Sequence, residues 1–322
     1  ITPSQLGLGA DNDPLAQTER DKLVKFVYGY DSYDEDGNGV TDEKRDWILG
    51  SFLHSKPFIV HYDSMDVIFA GANDGMLHAF RDSDGRELWG FIPPVVLPNL
   101  QALHADVLQM FVDGSPKCYI SRNSDGTIQR VILIFGLRRG GNRYYALDVT
   151  NPLAPQFLWE INPNAVGSPY AKMGQSWSTP LLGQVACSTG APHCTGGKRW
   201  VAFIGGGFDT AEDNDIPPAS DTLGTAVYVV DIFDGSLVLG FTPATYPGMT
   251  RAIPSDIARV DTNYDGKIDR LYVGDLGGQM WRFNVGDPDP NNWSASVFFT
   301  ASSGAKIFYP PDVTLEWNST AK

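Results

Sequence analysis

The sequence predicts an all-β fold, a β-propeller built from four-stranded antiparallel blades, and three repeating features predict it. Four β-prone runs each end in glycine, at Gly71, Gly136, Gly205 and Gly274, spaced 65, 69 and 69 residues apart. After a glycine-rich turn each is followed by a strand of alternating apolar character. A proline opens the strand that precedes each run: Pro57, Pro116, Pro180 and Pro254. Four-stranded units in series are the pattern of propeller blades, because no blade can bury both its faces without neighbours.

Proline costs least at the first position of a strand A, where no ladder donor is lost. Strand B reads Val67–Gly71, Val131–Gly136, Val201–Gly205 and Leu271–Gly274 in the four units. Glycine between strands B and C is expected to permit the positive φ of a tight turn. Strand C reads Met76–Phe80, Tyr144–Val149, Ala226–Asp231 and Gln279–Phe283. Strand D is legible in three units: Asp84–Trp89, Pro155–Trp159 and Asp234–Leu239. The repeats fall near residues 54–115, 116–179, 180–253 and 254–310, and Pro311 starts a fifth strand A. About four and a half blades leave open sheet edges, so the chain is expected to be a fragment of a longer, seven-bladed parent. Trp89, Trp159 and Trp177 are read as packing between blades. Before this propeller region of residues 51–322 lies an N-terminal helical segment, residues 1–50, with a helix over Gln17–Tyr28 and helical spacing again over Asp42–Leu49.

Residue totals bound the function. Hydrophobic residues at 42% and aromatics at 12% provide a substantial core. The formal charge of −14 argues against a nucleic-acid partner, which needs a basic face. No run of about 18 apolar residues predicts a bilayer span. The start, Ile1 to Ser4, has no basic or apolar leader character, so a signal peptide is expected to have been removed or to lie far upstream.

Two stretches have the spacing of a calcium loop. Asp261, Asn263, Asp265 and Asp269 stand at positions 1, 3, 5 and 9, with Gly266 at 6 and the backbone carbonyl of Lys267 at 7. Such a set wraps one hard cation in oxygen, with glycine making the sharp turn. The Lys267 ammonium is expected to point to solvent and Ile268 into the blade. The loop falls between strands A and B of the fourth unit. A second, weaker site is read at Asp34, Asp36, Asn38, the Val40 carbonyl and Asp42, with Gly39 at position 6. There position 12, where a helix–loop–helix site wants a bidentate glutamate, is Arg45. The competing reading is a solvated acidic linker. Ca²⁺ is the cofactor both loops suit; Mg²⁺ demands a tighter octahedron.

Cys187 and Cys194 enclose six residues between strands A and B of the third unit, a loop that a disulfide could close; two reduced thiols are the alternative. The bond would staple the hairpin equivalent to the one that calcium would staple in the fourth unit. Cys118 is left over. The five histidines, His54, His61, His78, His104 and His193, form no metal-spaced pair and are read as structural. No nucleophile elbow or phosphate loop is present, so no catalytic residue is assigned. An enzyme alternative, a quinone-dependent dehydrogenase, would be expected to show adjacent cysteines, which this chain lacks. A periplasmic propeller scaffold is the other alternative.

Several motifs resemble the PilY family of type IV pilus biogenesis proteins, which includes the neisserial PilC adhesins. They are Gly71-Ala-Asn-Asp-Gly-Met-Leu-His-Ala-Phe80, Glu87-Leu-Trp-Gly-Phe-Ile-Pro93, Tyr145-Ala-Leu-Asp-Val-Thr-Asn-Pro152, Gly174-Gln-Ser-Trp-Ser-Thr-Pro180, Gly205-Gly-Gly-Phe-Asp209 and Tyr272-Val-Gly-Asp-Leu-Gly-Gly-Gln-Met-Trp-Arg282. The resemblance covers about residues 50–285. It implies a modified propeller at a pilus tip or outer cell surface, with calcium at Asp261–Asp269 governing pilus extension and retraction and surface attachment. Its partners would be minor pilins and host-cell or abiotic surfaces. No Arg-Gly-Asp tripeptide occurs, which puts integrin recognition in doubt.

Overall fold

The fold is all-β, with four four-stranded antiparallel sheets, each of the strand order expected of a propeller blade, among the described residues. The structure is a computed structural model that describes residues 1–105, 108–302 and 304–315. Two compact units make up the chain, residues 1–115 with 139–141, and residues 116–138 with 142–322.

The first unit begins with helix α1, Pro14–Val27. Asp13 caps it by accepting a hydrogen bond from Leu15 N, and Pro14 occupies the first helical position, where its missing N–H costs nothing. Leu23 and Phe26 are buried. The helical spacing of 42–49 does not become a helix. Lys44 instead bridges Tyr30, Asp31 N donates to Glu43 O, and Arg45 N donates to Gly29 O. Those backbone groups are committed to an extended pairing with the segment leaving α1, and Trp47 and Ile48 stand exposed. The unit's sheet is β1 (Phe58–His61), β2 (Asp66–Gly71), β3 (Leu77–Arg81) and β4 (Glu87–Phe91), in that order.

The second unit holds three sheets of the same order: β5 (Lys117–Arg122), β6 (Ile128–Gly136), β7 (Tyr144–Asp148) and β8 (Gln156–Ile161); β9 (Leu181–Ala186), β10 (Lys198–Gly205), β11 (Val227–Asp231) and β12 (Leu237–Phe241); β13 (Ala258–Val260), β14 (Arg270–Gly274), β15 (Gln279–Asn284) and β16 (Ser294–Thr300). Side chains alternate across a strand, and the β9–β12 sheet uses both faces. Ala202, Ile204, Tyr228 and Val230 pack with Ile132, Ile134, Tyr144 and Trp159 of the preceding sheet. Val201, Phe203, Val227 and Val229 pack with Leu271, Val273, Trp281 and Phe283 of the following one. Burial on both faces explains why β10 and β11 read as near-continuous apolar runs. Trp159 bridges sheets as expected, its indole N–H donating to Ile232 O.

All four strands B end at the predicted glycine, and that glycine has a role apart from the turn. None of Gly71, Gly136, Gly205 or Gly274 has positive φ. Each lies where another segment crosses against the strand end: a Cβ on Gly71 would sit 2.2 Å from Val112 O, on Gly205 2.6 Å from Ile253 O, and on Gly274 2.2 Å from Ile307 Cγ2. Positive φ falls on the turn itself, at Gly75, Arg138, Gly207 and Gly278. Gly205→Ala must push against backbone, and a loss of about 1–3 kcal/mol in unfolding free energy is expected from denaturant titration. Pro57, Pro116 and Pro180 directly precede their strands, whereas β13 starts four residues beyond Pro254. Residues 311–315 form no strand, and the rest of the expected fifth strand lies outside the described residues.

Candidate metal centre

The loop of residues 261–269 joins β13 to β14, and the Cys187–Cys194 loop joins β9 to β10, so the two occupy equivalent hairpins of adjacent sheets. The two cysteines are bonded, with Cα atoms 6.0 Å apart.

The 261–269 loop is shaped from within by its own carboxylates. Asp261 Oδ1 accepts from Asp265 N (3.2 Å) and Oδ2 from Gly266 N (2.8 Å). Asn263 Oδ1 accepts from Asp265 N (3.1 Å), and Asp265 Oδ1 from Lys267 N (2.9 Å). Tyr264 and Gly266 take φ of 59° and 81°, the left-handed conformation of a sharp turn. Asp269 sits beneath: Oδ2 accepts from Thr262 N (2.9 Å) and Oγ1 (2.6 Å). Its Oδ1 is buried and has no hydrogen-bond partner. A buried unpartnered carboxylate oxygen is costly unless something positive reaches it. Oxygen-only donors with one such orphan fit a hard divalent cation.

Ile268 is buried among the residues that join the two sheets. Its N–H donates to Gln184 O of β9 (2.7 Å), and its side chain fills the space a Cβ on Gly183 would take. Lys267 departs from expectation: its ammonium lies 2.7 Å from Asp265 Oδ2 instead of pointing to solvent. Attraction to the nearest carboxylate accounts for this, and that hydrogen bond holds the Asp265 carboxyl below its ordinary range.

In the second loop the structure regroups the residues. Asp34 and Asp36 converge with Asp31, their oxygens within 4.8 Å of one another, whereas Asp261, Asp265 and Asp269 do not draw together to that degree. Asp31 was missed because the loop spacing begins at Asp34; an acidic residue three places upstream was the available signal. Asp31 is buried, and Oδ1 accepts from Glu35 N (2.8 Å). Asp34 Oδ1 accepts from Gly39 N (2.9 Å). Asn38 turns its amide nitrogen to Asp36 Oδ2 (2.9 Å) and to Glu43, and its Oδ1 accepts from Val40 N (2.7 Å). Asp42 stands exposed. Arg45, at position 12, turns back to α1, where its guanidinium stacks 3.6 Å from the Phe26 ring and donates to Phe26 O (3.0 Å).

Residues 61–312 match the family model described as the PilY1 beta-propeller domain. The type IV pilus biogenesis factor PilY1 of Pseudomonas aeruginosa strain PAK is 29% identical over 311 residues, covering 87% of this chain and 24% of the relative. A PilY1 homolog of Xylella fastidiosa is 32% identical over 237 residues, covering 70% of this chain and 14% of the relative. The crystal structure of the P. aeruginosa PilY1 C-terminal domain superposes with a TM-score of 0.55 at 26% identity, covering 78% of this chain and 49% of that one. The chain thus spans about a quarter or less of the length of these curated relatives.

Proposed function

The chain belongs to the PilY1 β-propeller family, and from that premise we propose that it serves type IV pilus biogenesis as a calcium-binding module at the cell surface or pilus tip. Its work is binding and regulation, not catalysis. Relatives named as pilus biogenesis factors support this, as does the lack of adjacent cysteines that a quinone-dependent dehydrogenase would be expected to carry. No helix among the described residues is long and apolar enough to cross a membrane, so attachment would run through pilus partners, minor pilins, and through host-cell or abiotic surfaces.

The observation that carries the calcium reading is the 261–269 loop: oxygen donors only, a buried carboxylate oxygen without a partner, and a direct hydrogen bond to the neighbouring sheet. Asp261, Asn263, Asp265, Asp269 and the Lys267 carbonyl would hold Ca²⁺, drawn together around it, and the ion would supply the positive charge that the unpartnered Asp269 oxygen lacks. Lys267 would release Asp265 Oδ2 as it does so. Ile268 ties the loop to β9, so the loop's order and the seam between two sheets change together. A pilus partner resting on that seam would read the calcium state, and extension against retraction would follow from it. The 34–42 loop, with Asp31 added and Arg45 turned away, is a weaker second site.

Calorimetric titration tests this. Calcium at a hundred times its dissociation constant should raise unfolding free energy by about 2.7 kcal/mol. Asp265→Ala should abolish the strongest binding event and leave the apo protein folded. An Asp265→Ala protein that titrates like wild type would overturn the calcium assignment without touching family membership.

A further inference from the structure

We propose that His193, Asp231 and Asp234 form a binding site for a divalent transition-metal cation of the zinc type, separate from the oxygen-only loops. One donor atom from each lies within 4.8 Å of the other two. His193 Nδ1 is 3.0 Å from Asp231 Oδ1 and 3.9 Å from Asp234 Oδ2. Tetrahedral zinc, with bonds of 2.0–2.2 Å to nitrogen and oxygen, requires donor separations of roughly 3.4 Å. His193 Nδ1 and Asp231 Oδ1 stand slightly closer than that value and His193 Nδ1 and Asp234 Oδ2 about half an ångström farther apart, so metal entry would draw Asp234, which lies in a turn, towards the other two.

The three residues come together only through the fold. His193 precedes Cys194, whose bond to Cys187 closes the β9–β10 loop, and it is held at a φ of 52° over the end of the next hairpin. Asp231 ends β11 and Asp234 lies in the turn to β12. Both carboxylates are positioned from outside the set. Asp231, fully buried, accepts from Arg199 Nε (2.8 Å) on Oδ2 and from Phe233 N (2.8 Å) on Oδ1. Asp234 Oδ1 accepts from Ser236 N (2.9 Å), and its Oδ2 is the oxygen that faces His193. Such outer contacts fix the direction in which each ligand oxygen points. The His193 ring lies 5.1 Å from that of Phe233, which walls one side.

Chemistry selects the ion. Imidazole nitrogen is a poor partner for Ca²⁺, which takes oxygen, and a good one for zinc, copper or nickel. Two carboxylates supply two negative charges, of which Arg199 offsets one. Three protein ligands leave a fourth position for water, and the His193 side chain, 39% exposed, gives the ion its entry path. The alternative is an ion pair between protonated His193 and the two aspartates.

Zn²⁺ titration calorimetry on the full chain, with saturating Ca²⁺ on the oxygen-only loops, decides between them, and Co²⁺ substitution reports coordination by visible absorption. The wild type should take up Zn²⁺ at a site that His193→Ala and Asp234→Asn each weaken by about tenfold or more. Both variants should keep the wild-type calcium isotherm and melting curve, and His61→Ala, at an unrelated exposed histidine, should keep the zinc site. A wild-type zinc isotherm in His193→Ala, or no zinc uptake by the wild type, would overturn the proposal.

Discussion

His78→Ala is expected to lower the unfolding free energy by about 3–5 kcal/mol at pH 7, because it strands a buried carboxylate. The His78 side chain is 2% exposed, with Nδ1 2.7 Å from Glu87 Oε1 and Nε2 3.0 Å from Asp74 Oδ2. Burial works against the charged ring, yet hydrogen bonds to Asp74 and Glu87 outweigh it and raise the pKa from 6.5 to about 9. The folded state therefore binds a proton that the unfolded state releases above pH 6.5. The resulting stabilisation, about 3 kcal/mol, is fully present below pH 6.5 and is lost as pH rises towards and through 9. Denaturant midpoints measured from pH 6 to 10 should fall for the wild type, and this component of the fall should vanish in His78→Ala. A histidine variant as stable as wild type at pH 7 would refute the clamp.

The second large effect is expected at Arg251. Glu212 and Asp221 are both fully buried at their side chains, and Arg251 serves both: Nη2 to Glu212 Oε1 at 2.5 Å and Nε to Asp221 Oδ2 at 3.4 Å. Lys306 adds a contact to Glu212 Oε2 at 2.5 Å. Asp221 Oδ2 also accepts from Ala252 N (2.7 Å), while Oδ1 has no partner. Burial, helped by Glu212, pushes the Asp221 pKa up to about 6. Arg251→Ala removes the cation that Glu212 and Asp221 share and leaves Glu212 to Lys306 alone, at a cost of about 3–5 kcal/mol. A folded pKa above the unfolded value of 3.8 means that the folded state takes up a proton first as pH falls. The Arg251 charge holds that pKa down, so its removal raises the Asp221 pKa further, and the variant should regain stability relative to wild type between pH 7 and 5, which thermal melts at the two pH values would show. Equal deficits at both would count against Asp221 as the group under strain.

The blades were legible in sequence because strands B and C impose a period of two and end in residues chosen for backbone clearance. Strand D of the fourth sheet was not. The first and third sheets turn from C to D on Asp84-Gly85 and Asp234-Gly235, with glycine φ of 70° and 71°, whereas β15 reaches β16 through residues 285–293 without that signal. The second helix failed for a tertiary reason: the spacing of 42–49 permits a helix, but the backbone of residues 29–31 pairs with that of residues 43–45 instead. In the 261–269 loop the order of oxygen side chains could be read directly, since those residues are local in sequence. Lys267 could not be placed, because its direction depends on a through-space attraction to Asp265. Neither could His193 be linked to Asp231 and Asp234, which lie some forty residues away and meet it only once β9 to β12 have formed their sheet.

The seat of Ile268 against Gly183 has a mechanical consequence. Two sheets packed face to face through apolar side chains resist sliding only through the interdigitation of those side chains. Here the rim of one hairpin is pegged into a notch in its neighbour and fastened by the bond from Ile268 N to Gln184 O. Sliding must first lift the peg. The same short segment that carries the acidic oxygens thus acts as the detent of the joint, and whatever stiffens it sets how far the joint yields under load.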